Sequence, residues 1–433
     1  ANETYLGLPE GLAGSHTYGR LAATRFDEIE STQYRSYIRH LIEFSTKTSL
    51  RTTIYGNTFN RNWQKLNDVN DGDNISQALA AGSGVAGASA QALTNYQILA
   101  GKATGEFTVR NNNRAYYSYG AQINLEHQLQ AGEVEHNLEV GVRFHEDQIR
   151  RKQWDEDYTQ DANGNITSVV TSARGVAGNR TQNVFATSIH AQDQMKFGKF
   201  TFTPGFRVEN MNAEYCDGGC GNAGVNKGDR TYTVIVGGGS LKYDVFDSGG
   251  RDFDLFGGIH RGFSPADPRS NIRSGITEET SIGMELGARY KNAPRAFSTE
   301  AVLFNTILDD LVVGASLGGT GAGSSVNAGK VQSTGLELQV NYDRGLDKGW
   351  SFQMPMYVAA TYTSATFLEI AGGNSDAESI FAGANIGNTV PYIPEFNLSF
   401  GIGTIYKKWS TNIDANFVSI AYADGANQNA QVN

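Results

Sequence analysis

The sequence predicts an all-β protein, an antiparallel transmembrane β-barrel with about 14 strands in this chain. Three observations carry the prediction: the connections alternate between short and long, the strands alternate between apolar and polar residues, and no apolar run is long enough for a membrane-spanning helix. The seven short connections lie near 45–47, 131–134, 196–199, 247–250, 293–295, 345–349 and 407–408. The six long ones lie near 62–106, 155–180, 216–228, 265–278, 312–330 and 368–393. Membrane barrels keep tight turns on one side and place their large loops on the other.

The predicted strands carry one apolar and one polar face. In the strand at 279–290, Ile282, Met284 and Leu286 alternate with Glu285 and Arg289. The segments at 121–129, 396–406 and 409–417 show the same alternation. Ionised side chains cannot face a dry core without partners, so the polar face is expected to be wet and the apolar face to meet lipid.

Composition excludes other classes of protein. Hydrophobic residues make up 39% of the chain, and no run approaches the ~20 apolar residues of a membrane-spanning helix. The formal net charge of -10, without a basic stripe, argues against a nucleic-acid partner. A large lectin-like β-sandwich remains an alternative explanation of part of the loop pattern.

The four tryptophans are predicted to mark strand ends, where aromatic girdles of membrane barrels lie. Trp63 and Trp154 are expected to close strands on the long-loop side. Trp350 and Trp409 are expected to open strands on the short-turn side. Coincidence is the alternative with so few residues.

The two cysteines, Cys216 and Cys220, are predicted to form a disulfide within a loop. Three residues separate them and two of these are glycines, so the chain can bring the sulfurs together. A disulfide fits a compartment outside the cytosol. Two free thiols are the alternative, and no metal site is predicted because no histidine or further cysteine lies nearby.

The ends of the chain point to further strands. The first strand, at about 31–44, runs into a short turn, and the last, at about 409–422, leaves one, so both ends are expected on the long-loop side. Barrels of this class normally begin and end on the short-turn side, so strands are expected before Ala1 and after Asn433. No secretion leader is visible at Ala1.

Enzyme signatures are missing from the sequence. His145-Glu146 lacks the second histidine of a zinc-protease motif, and the segment 323–330 departs from a phosphate-binding loop in spacing and in Val331. We therefore predict no catalytic residues and no cofactor.

Seven segments, in the same order, resemble TonB-dependent receptors of the ferric-citrate transporter type. They are NETYLGL at 2–8, FNRNWQKL at 59–66, GVRFHED at 141–147, TPGFRVE at 203–209, HRGFSP at 260–265, ELGARY at 285–290 and VPYIPE at 390–395. The resemblance spans nearly the whole chain and is less specific to the ferric-citrate branch than to the family.

The resemblance implies a bacterial outer-membrane barrel of about 22 strands, filled by a plug domain through which TonB pulls. It implies active transport of a ferric chelate, with outer-membrane lipid and lipopolysaccharide around the barrel. Residues 1–433 would be the barrel domain in part, because neither a plug, a TonB-contacting segment nor closing strands are found in the sequence.

Two sets of charged residues are predicted to face the lumen. Mid-strand charges are expected to bond a plug or to hold water: Arg143, Arg207, Glu209, Glu285, Arg289 and Glu337. Arginines near the long-loop side are expected to bind the chelate, because guanidinium groups pair bidentately with carboxylates: Arg61, Arg110, Arg114, Arg150 and Arg151. Of these, Arg150 is included as added charge beside Arg151. Contact with lipid phosphates or simple solvation of the rim is the alternative.

Two tracts rich in small residues, at 78–92 and 314–329, are expected to let the loops move over the ligand, with flexible filler as the alternative. Two other functions stay open at this point. One is a passive porin, and the other is a non-transporting outer-membrane component that docks partners through its long loops.

Overall fold

The computed structural model describes residues 20–70, 75–84, 86–220, 226–314, 325–327, 329–370, 383–428 and 430–431. The strands are β1 (Glu28–Ser45), β2 (Thr48–Val69), β3 (Gly105–Asn111), β4 (Arg114–Ala131), β5 (Val134–Gln160), β6 (Ile166–Thr171), β7 (Gly178–Phe197), β8 (Phe200–Asp217), β9 (Asn226–Ser248), β10 (Arg251–Ser264), β11 (Glu279–Asn292), β12 (Phe297–Asp309), β13 (Val312–Gly314), β14 (Ser325–Asn327), β15 (Gly329–Asp343), β16 (Pro355–Ile370), β17 (Phe396–Tyr406), β18 (Trp409–Val418), β19 (Ala421–Tyr422) and β20 (Ala430–Gln431). The helices are α1 (Ile75–Gly82), α2 (Ala90–Leu99), α3 (Pro268–Ser274) and α4 (Arg344–Asp347), with 3-10 turns at Ala22–Phe26 and Ala293–Arg295.

One antiparallel sheet of 16 strands dominates the described chain. Its long strands follow one another as an up-and-down meander from β1 to β18. Short β3 continues the line of β4 between β2 and β5, and short β6 pairs with the far end of β5. Leaving these two aside, 14 of the 16 strands are long, so the predicted all-β antiparallel class and strand number are confirmed.

The sheet has an apolar face and a polar face, as the alternation predicts. Leu286 is 64% exposed and Phe400 is 48% exposed on the apolar face, although both lie in the middle of long strands. A row of paired residues, Ile38, Ile54, Ala121 and Phe144, continues this face across β1, β2, β4 and β5. Large exposed hydrophobic side chains in strand centres are the signature of a surface that meets lipid.

Six of the seven predicted short connections lie where the sequence predicts them, and the seventh, at 345–349, is part of a longer connection between β15 and β16. The turn between β4 and β5 uses Gly132 with φ 60°, a left-handed conformation that favours glycine. Trp409 is the first residue of β18, which confirms that prediction. The prediction for Trp350 is wrong: this residue lies in the longer connection that contains α4, and β16 begins only at Pro355.

On the long-loop side the strands extend further than predicted. β2 continues to Val69 and β5 to Gln160, so Trp63 and Trp154 lie inside strands rather than at their ends. A small hydrophobic core forms on the apolar face of these extensions. It includes Leu21, Leu66, Val69, Tyr96, Ile98, Leu99, Phe107 and Val109.

The small-residue tract at 78–92 does not form a mobile loop, which corrects that expectation. It supplies most of α1 and the start of α2, because alanine is the best helix former and small side chains let helices pack closely. Ala78 is fully buried, and a Cβ on Gly82 would lie 2.4 Å from the ring of Tyr96. Most of the second tract, 314–329, lies outside the described residues.

Helix α3 lies in the loop between β10 and β11 and packs against β7, β8 and β9. It begins with Pro268 after the N-cap residue Asp267, whose side chain accepts a hydrogen bond from the backbone N–H of Ser270. In the part of the chain that the structure describes, no helix is long and apolar enough to cross a membrane.

Candidate functional site

Four arginines form a continuous row across four adjacent strands. Arg61 on β2 is the direct cross-strand partner of Arg114 on β4, and Arg114 is the partner of Arg151 on β5. Arg151 is in turn the partner of Arg180 on β7, and Arg180 is paired with Asp217 on β8. The register alone therefore aligns four cations side by side and ends the row with one carboxylate. We call these four residues the arginine row.

The arginine row lies on the polar face and above the apolar band. Side chains of a strand alternate between faces, and Arg61 has the same parity as Tyr55, opposite to the exposed Ile54. Arg151 likewise has the parity opposite to the exposed Phe144. Both arginines lie beyond Ile54 and Phe144, the last exposed large hydrophobic residues of their strands, toward the long-loop side.

The positive charge of the row is only partly compensated. Arg180 donates from Nε to Asp217 Oδ1 at 2.7 Å. Within the described residues, the buried Nε atoms of Arg61 and Arg114 have no hydrogen-bond partner. Like charges directly opposite each other on adjacent strands destabilise a sheet. Such a row is therefore costly unless an anion provides the missing partner.

Neighbouring cations raise the positive potential further. Burial, with the adjacent Arg114 and Arg180, lowers the pKa of Arg151 to about 10. Lys65, two positions beyond Trp63 on β2, is 1% exposed, and burial together with Arg110 and Arg114 lowers its pKa to about 8. Burial, followed by the neighbouring cations, thus lowers the pKa of both Arg151 and Lys65, whereas Asp155 raises that of Arg110.

Arg110 lies two same-face positions above the row and already has a counter-ion. It is the cross-strand partner of Lys65 and of Asp155, and its guanidinium donates to both Asp155 oxygens, at 2.7 and 2.9 Å. A bidentate pair of this kind is among the stronger charged hydrogen bonds. Arg110 therefore belongs to the cluster but is less available than Arg61 or Arg114.

A layer of less polar residues lies directly below the row. Phe59, Tyr116, Ile149 and Gln182 occupy the next positions of the same face on the same four strands. The rings of Phe59 and Tyr116 lie 5.7 Å apart. A cavity of about 430 Å³ is lined in part by these residues and by Pro268 of α3. The site thus combines guanidinium groups with an aromatic floor.

Asp217 connects the row to helix α3. Its carboxylate accepts from Arg180 and, at 2.9 Å, from Arg269 of α3. Although burial would raise it, the two guanidiniums hold the pKa of Asp217 below its usual range. The neighbouring Cys216 forms the predicted disulfide with Cys220, with the Cα atoms 5.6 Å apart.

The structure brings together four of the five arginines proposed from the sequence: Arg61, Arg110, Arg114 and Arg151. Arg150 is the exception, because it lies on the apolar face of β5, with its guanidinium 5.4 Å from the ring of Tyr117. Strand geometry therefore separates Arg150 from the other four arginines, and its assignment to the ligand site stays a prediction. Sequence reasoning missed Arg180, which stood at the end of a predicted loop but belongs to β7.

The six mid-strand charges all have the parity of the polar face. Arg207 pairs with Glu209 on its own strand at 2.7 Å, and Arg289 pairs with Glu300 on β12 at 2.5 Å. Arg143 donates from Nε to the hydroxyl of Tyr55 at 3.0 Å. Among the described residues, Glu285 and Glu337 form no ion pair.

The described residues contain no group of three or more histidine, cysteine, aspartate or glutamate side chains that could hold a metal ion. The side chains that the structure does bring together are mainly cationic, an arrangement that can bind an anion.

An antiparallel sheet with one lipid-facing surface and one wet surface defines the class of outer-membrane β-barrel proteins. A family model described as "TonB dependent receptor-like, beta-barrel" matches residues 5–433. The chain belongs to this family, as the resemblance in its sequence predicts, and it is a protein of the bacterial outer membrane.

Solved structures share this fold. The ferric citrate transporter FecA in its unliganded form matches with a TM-score of 0.69 at 17% identity, covering 97% of this chain and 53% of FecA. The siderophore receptor PiuA from Acinetobacter baumannii matches with a TM-score of 0.67 at 13% identity, covering 93% of this chain and 57% of PiuA. At these identities the likeness shows the fold alone.

A curated relative matches at lower coverage. The pesticin receptor of Yersinia enterocolitica is 25% identical over 232 residues, which are 52% of this chain and 31% of that receptor. The chain covers less than two thirds of the length of each of these relatives.

Proposed function

We propose that the intact protein imports a small, negatively charged ferric chelate of the ferric-citrate type across the outer membrane, with TonB supplying the energy. The observation that carries the proposal is the arginine row, in which Arg61 and Arg114 stand beside other cations and keep buried donors without partners. A chelate with several carboxylates would satisfy these donors bidentately.

Geometry supports a ligand that enters from the long-loop side. The row lies beyond the apolar band, and the cavity below it is bounded in part by Pro268 of α3. A bound anion would remove the repulsion between Arg114 and its two arginine neighbours. The hydrogen bonds to the anion and the loss of repulsion between the arginines would then both stabilise the ligand-bound protein.

The mid-strand charges have a separate role in this proposal. Residues 1–433 contribute the barrel domain, and a plug domain fills its lumen. Glu285 and Glu337, which lack an ion pair among the described residues, would bond the plug together with Arg143, Arg207, Glu209 and Arg289. TonB would act on the plug rather than on the residues of the arginine row.

The test is uptake of radioactive ferric citrate by cells that produce the intact protein as their sole route for this chelate. We expect uptake to stop when TonB is deleted. Other polycarboxylate chelates should inhibit uptake, whereas the cationic chelate ferrioxamine B should not. Uptake that continues without TonB would indicate a passive pore. Failure to take up or bind any anionic chelate would reject the proposal.

A further inference from the structure

Gln153 on β5 is a buried, uncharged side chain in contact with the arginine row. It follows Arg151 by two residues, so both side chains lie on the polar face. Gln153 is 0% exposed, and its Oε1 accepts a hydrogen bond from Arg151 Nε at 2.5 Å. Because a buried amide is costly to leave without partners, this contact fixes the Nε edge of Arg151.

A second amide holds Gln153 in turn. Asn112 lies in the short link between β3 and β4, is 2% exposed, and accepts a hydrogen bond at Oδ1 from Gln153 Nε2. The backbone N–H of Asn112 donates to the Trp63 carbonyl on β2 at 2.8 Å, and its Nδ2 lies 3.3 Å from the same oxygen. The orientation of Arg151 thus depends on β2 and on the link between β3 and β4, as well as on its own strand.

Gly178 on β7 leaves room for this arrangement. It is the direct cross-strand partner of Gln153, and a Cβ at Gly178 would lie 2.5 Å from Gln153 Oε1. The backbone of Gly178 is not left-handed, so glycine is required here for space rather than for conformation. A larger residue at this position would displace the oxygen that accepts from Arg151.

The acceptor for Arg151 is neutral, whereas the acceptor for its neighbour in the row is charged. Arg180 donates from Nε to the carboxylate of Asp217. A carboxylate offsets the positive charge of its partner, but an amide oxygen accepts the hydrogen bond and leaves that charge in place. With Nε bonded to Gln153, the two terminal nitrogens of Arg151 form the edge that a carboxylate ligand can contact.

We propose that Gln153 is a positioning residue for the anionic ligand, because it fixes Arg151 through Nε without neutralising it and directs the terminal guanidinium nitrogens into the lumen. This inference rests on the proposed binding of a ferric chelate. A guanidinium and a carboxylate form two parallel hydrogen bonds only in one relative orientation. An arginine that already has this orientation loses less side-chain freedom when the ligand binds.

The test is a thermodynamic cycle of Gln153→Met and Arg151→Gln in the purified intact protein, measured by isothermal titration of ferric citrate. Gln153→Met should lower the affinity about tenfold, the effect of losing one charged hydrogen bond to the ligand. In the Arg151→Gln background it should change the affinity by less than about twofold, because the residue that it positions is gone. Thermal unfolding should show a similar loss of stability in both backgrounds, since Asn112 loses its donor in each. An equal loss of affinity in both backgrounds would overturn the proposal.

Gln148→Met is the matched control. Gln148 Oε1 accepts from Arg150 Nε at 2.6 Å, two residues away on the opposite face of the same strand. This variant should leave ferric citrate affinity unchanged, and a loss as large as that of Gln153→Met would show a general effect on β5 and reject the positioning role. Gln153→Glu keeps the acceptor but places a carboxylate beside Arg151, so it should weaken binding while Nε stays bonded.

The orientation of Arg151 can also be measured without a ligand, from the exchange rate of its Nε–H in the NMR spectrum of protein with isotope-labelled arginine. Exchange should be slow in the wild type and in Gln153→Glu, and Gln153→Met should lose this protection. Slow exchange in a wild type that binds no ferric citrate would contradict the proposed function but retain Gln153 as the residue that orients Arg151. Equally fast exchange in the wild type and in Gln153→Met would overturn the inference about Gln153 alone.

Discussion

Charges on the polar face are arranged differently at two heights. In the middle of the strands, Arg207 pairs with Glu209 and Arg289 with Glu300. In the arginine row, Arg61, Arg114 and Arg151 are each other's neighbours. The lower lumen thus contains ion pairs within its own wall, whereas adjacent arginines of the upper row face one another, and this contrast underlies the proposed anion site.

The largest effect is expected from Arg114→Gln, which removes the arginine flanked by two others. Affinity for ferric citrate should fall about 10- to 100-fold, the value of one or two charged hydrogen bonds. The unliganded protein should not lose stability, because the change relieves like-charge repulsion on both sides. Isothermal titration and thermal unfolding of the purified intact protein measure the two quantities.

Arg110→Gln provides the contrast to that variant. It leaves the carboxylate of Asp155 without its bidentate partner, so we expect it to lower stability. Equal destabilisation by Arg110→Gln and Arg114→Gln, without a loss of affinity in the latter, would show that the row is a structural element.

The second effect concerns pH and Lys65. Its pKa is about 8 in the folded protein against 10.5 ordinarily, so an anion in the site favours the protonated form. Ferric citrate affinity should therefore fall as pH rises above about 8, by at most about tenfold per pH unit. Titrations between pH 7 and pH 9 measure this slope.

Lys65→Gln is the control, because any effect of pH on ferric citrate itself is the same for both proteins. It should bind more weakly at pH 7 and show a flatter slope, and identical slopes would exclude Lys65 from the site. In the unliganded wild type, the unfolded chain binds the extra proton between pH 8 and 10.5. Stability should therefore rise with pH in that window.

The smallest effect is expected from Arg207→Gln in the lower lumen. Breaking the partly exposed pair with Glu209 should cost about 1 kcal/mol of stability. Ferric citrate affinity should stay unchanged, because the pair lies well below the row. Denaturant unfolding and titration check both, with Glu337→Gln as a variant that breaks no ion pair in the described chain. A loss of affinity as large as that of Arg114→Gln would show that the lower lumen contributes to ferric citrate binding as much as the arginine row does.

The sequence predicted the strands and turns because both signals are local. Alternation at Ile282, Met284 and Leu286 and the glycine of the turn at Gly132 depend only on neighbouring residues. The alternation of side chains along a strand could also have separated Arg150 from Arg151. The two were grouped by charge rather than by face, and the structure places them on opposite sides of the wall.

The arginine row and the packing of the helices depend on contacts between segments that are distant in the sequence. That Arg61, Arg114 and Arg151 are direct partners follows from register, which turn geometry and bulges set. Arg180 could not be joined to them while β7 was taken to begin after it. The alanine-rich tract at 78–92 was interpreted by its small size alone, although alanine also favours helices, which become stable once they pack on Val69 and Phe107.

Two consecutive arginines on β5 let the row keep a guanidinium after a one-residue insertion in that strand. One residue inserted between the turn at Gly132 and Arg150 would move Arg150 to the lumen position that Arg151 now holds, because side chains alternate strictly. On β4, Asn113 and Ala115 flank Arg114, so no neighbouring arginine could take its place. A one-residue insertion in β5 can therefore preserve a guanidinium at this position, whereas the same insertion in β4 would remove one from the lumen.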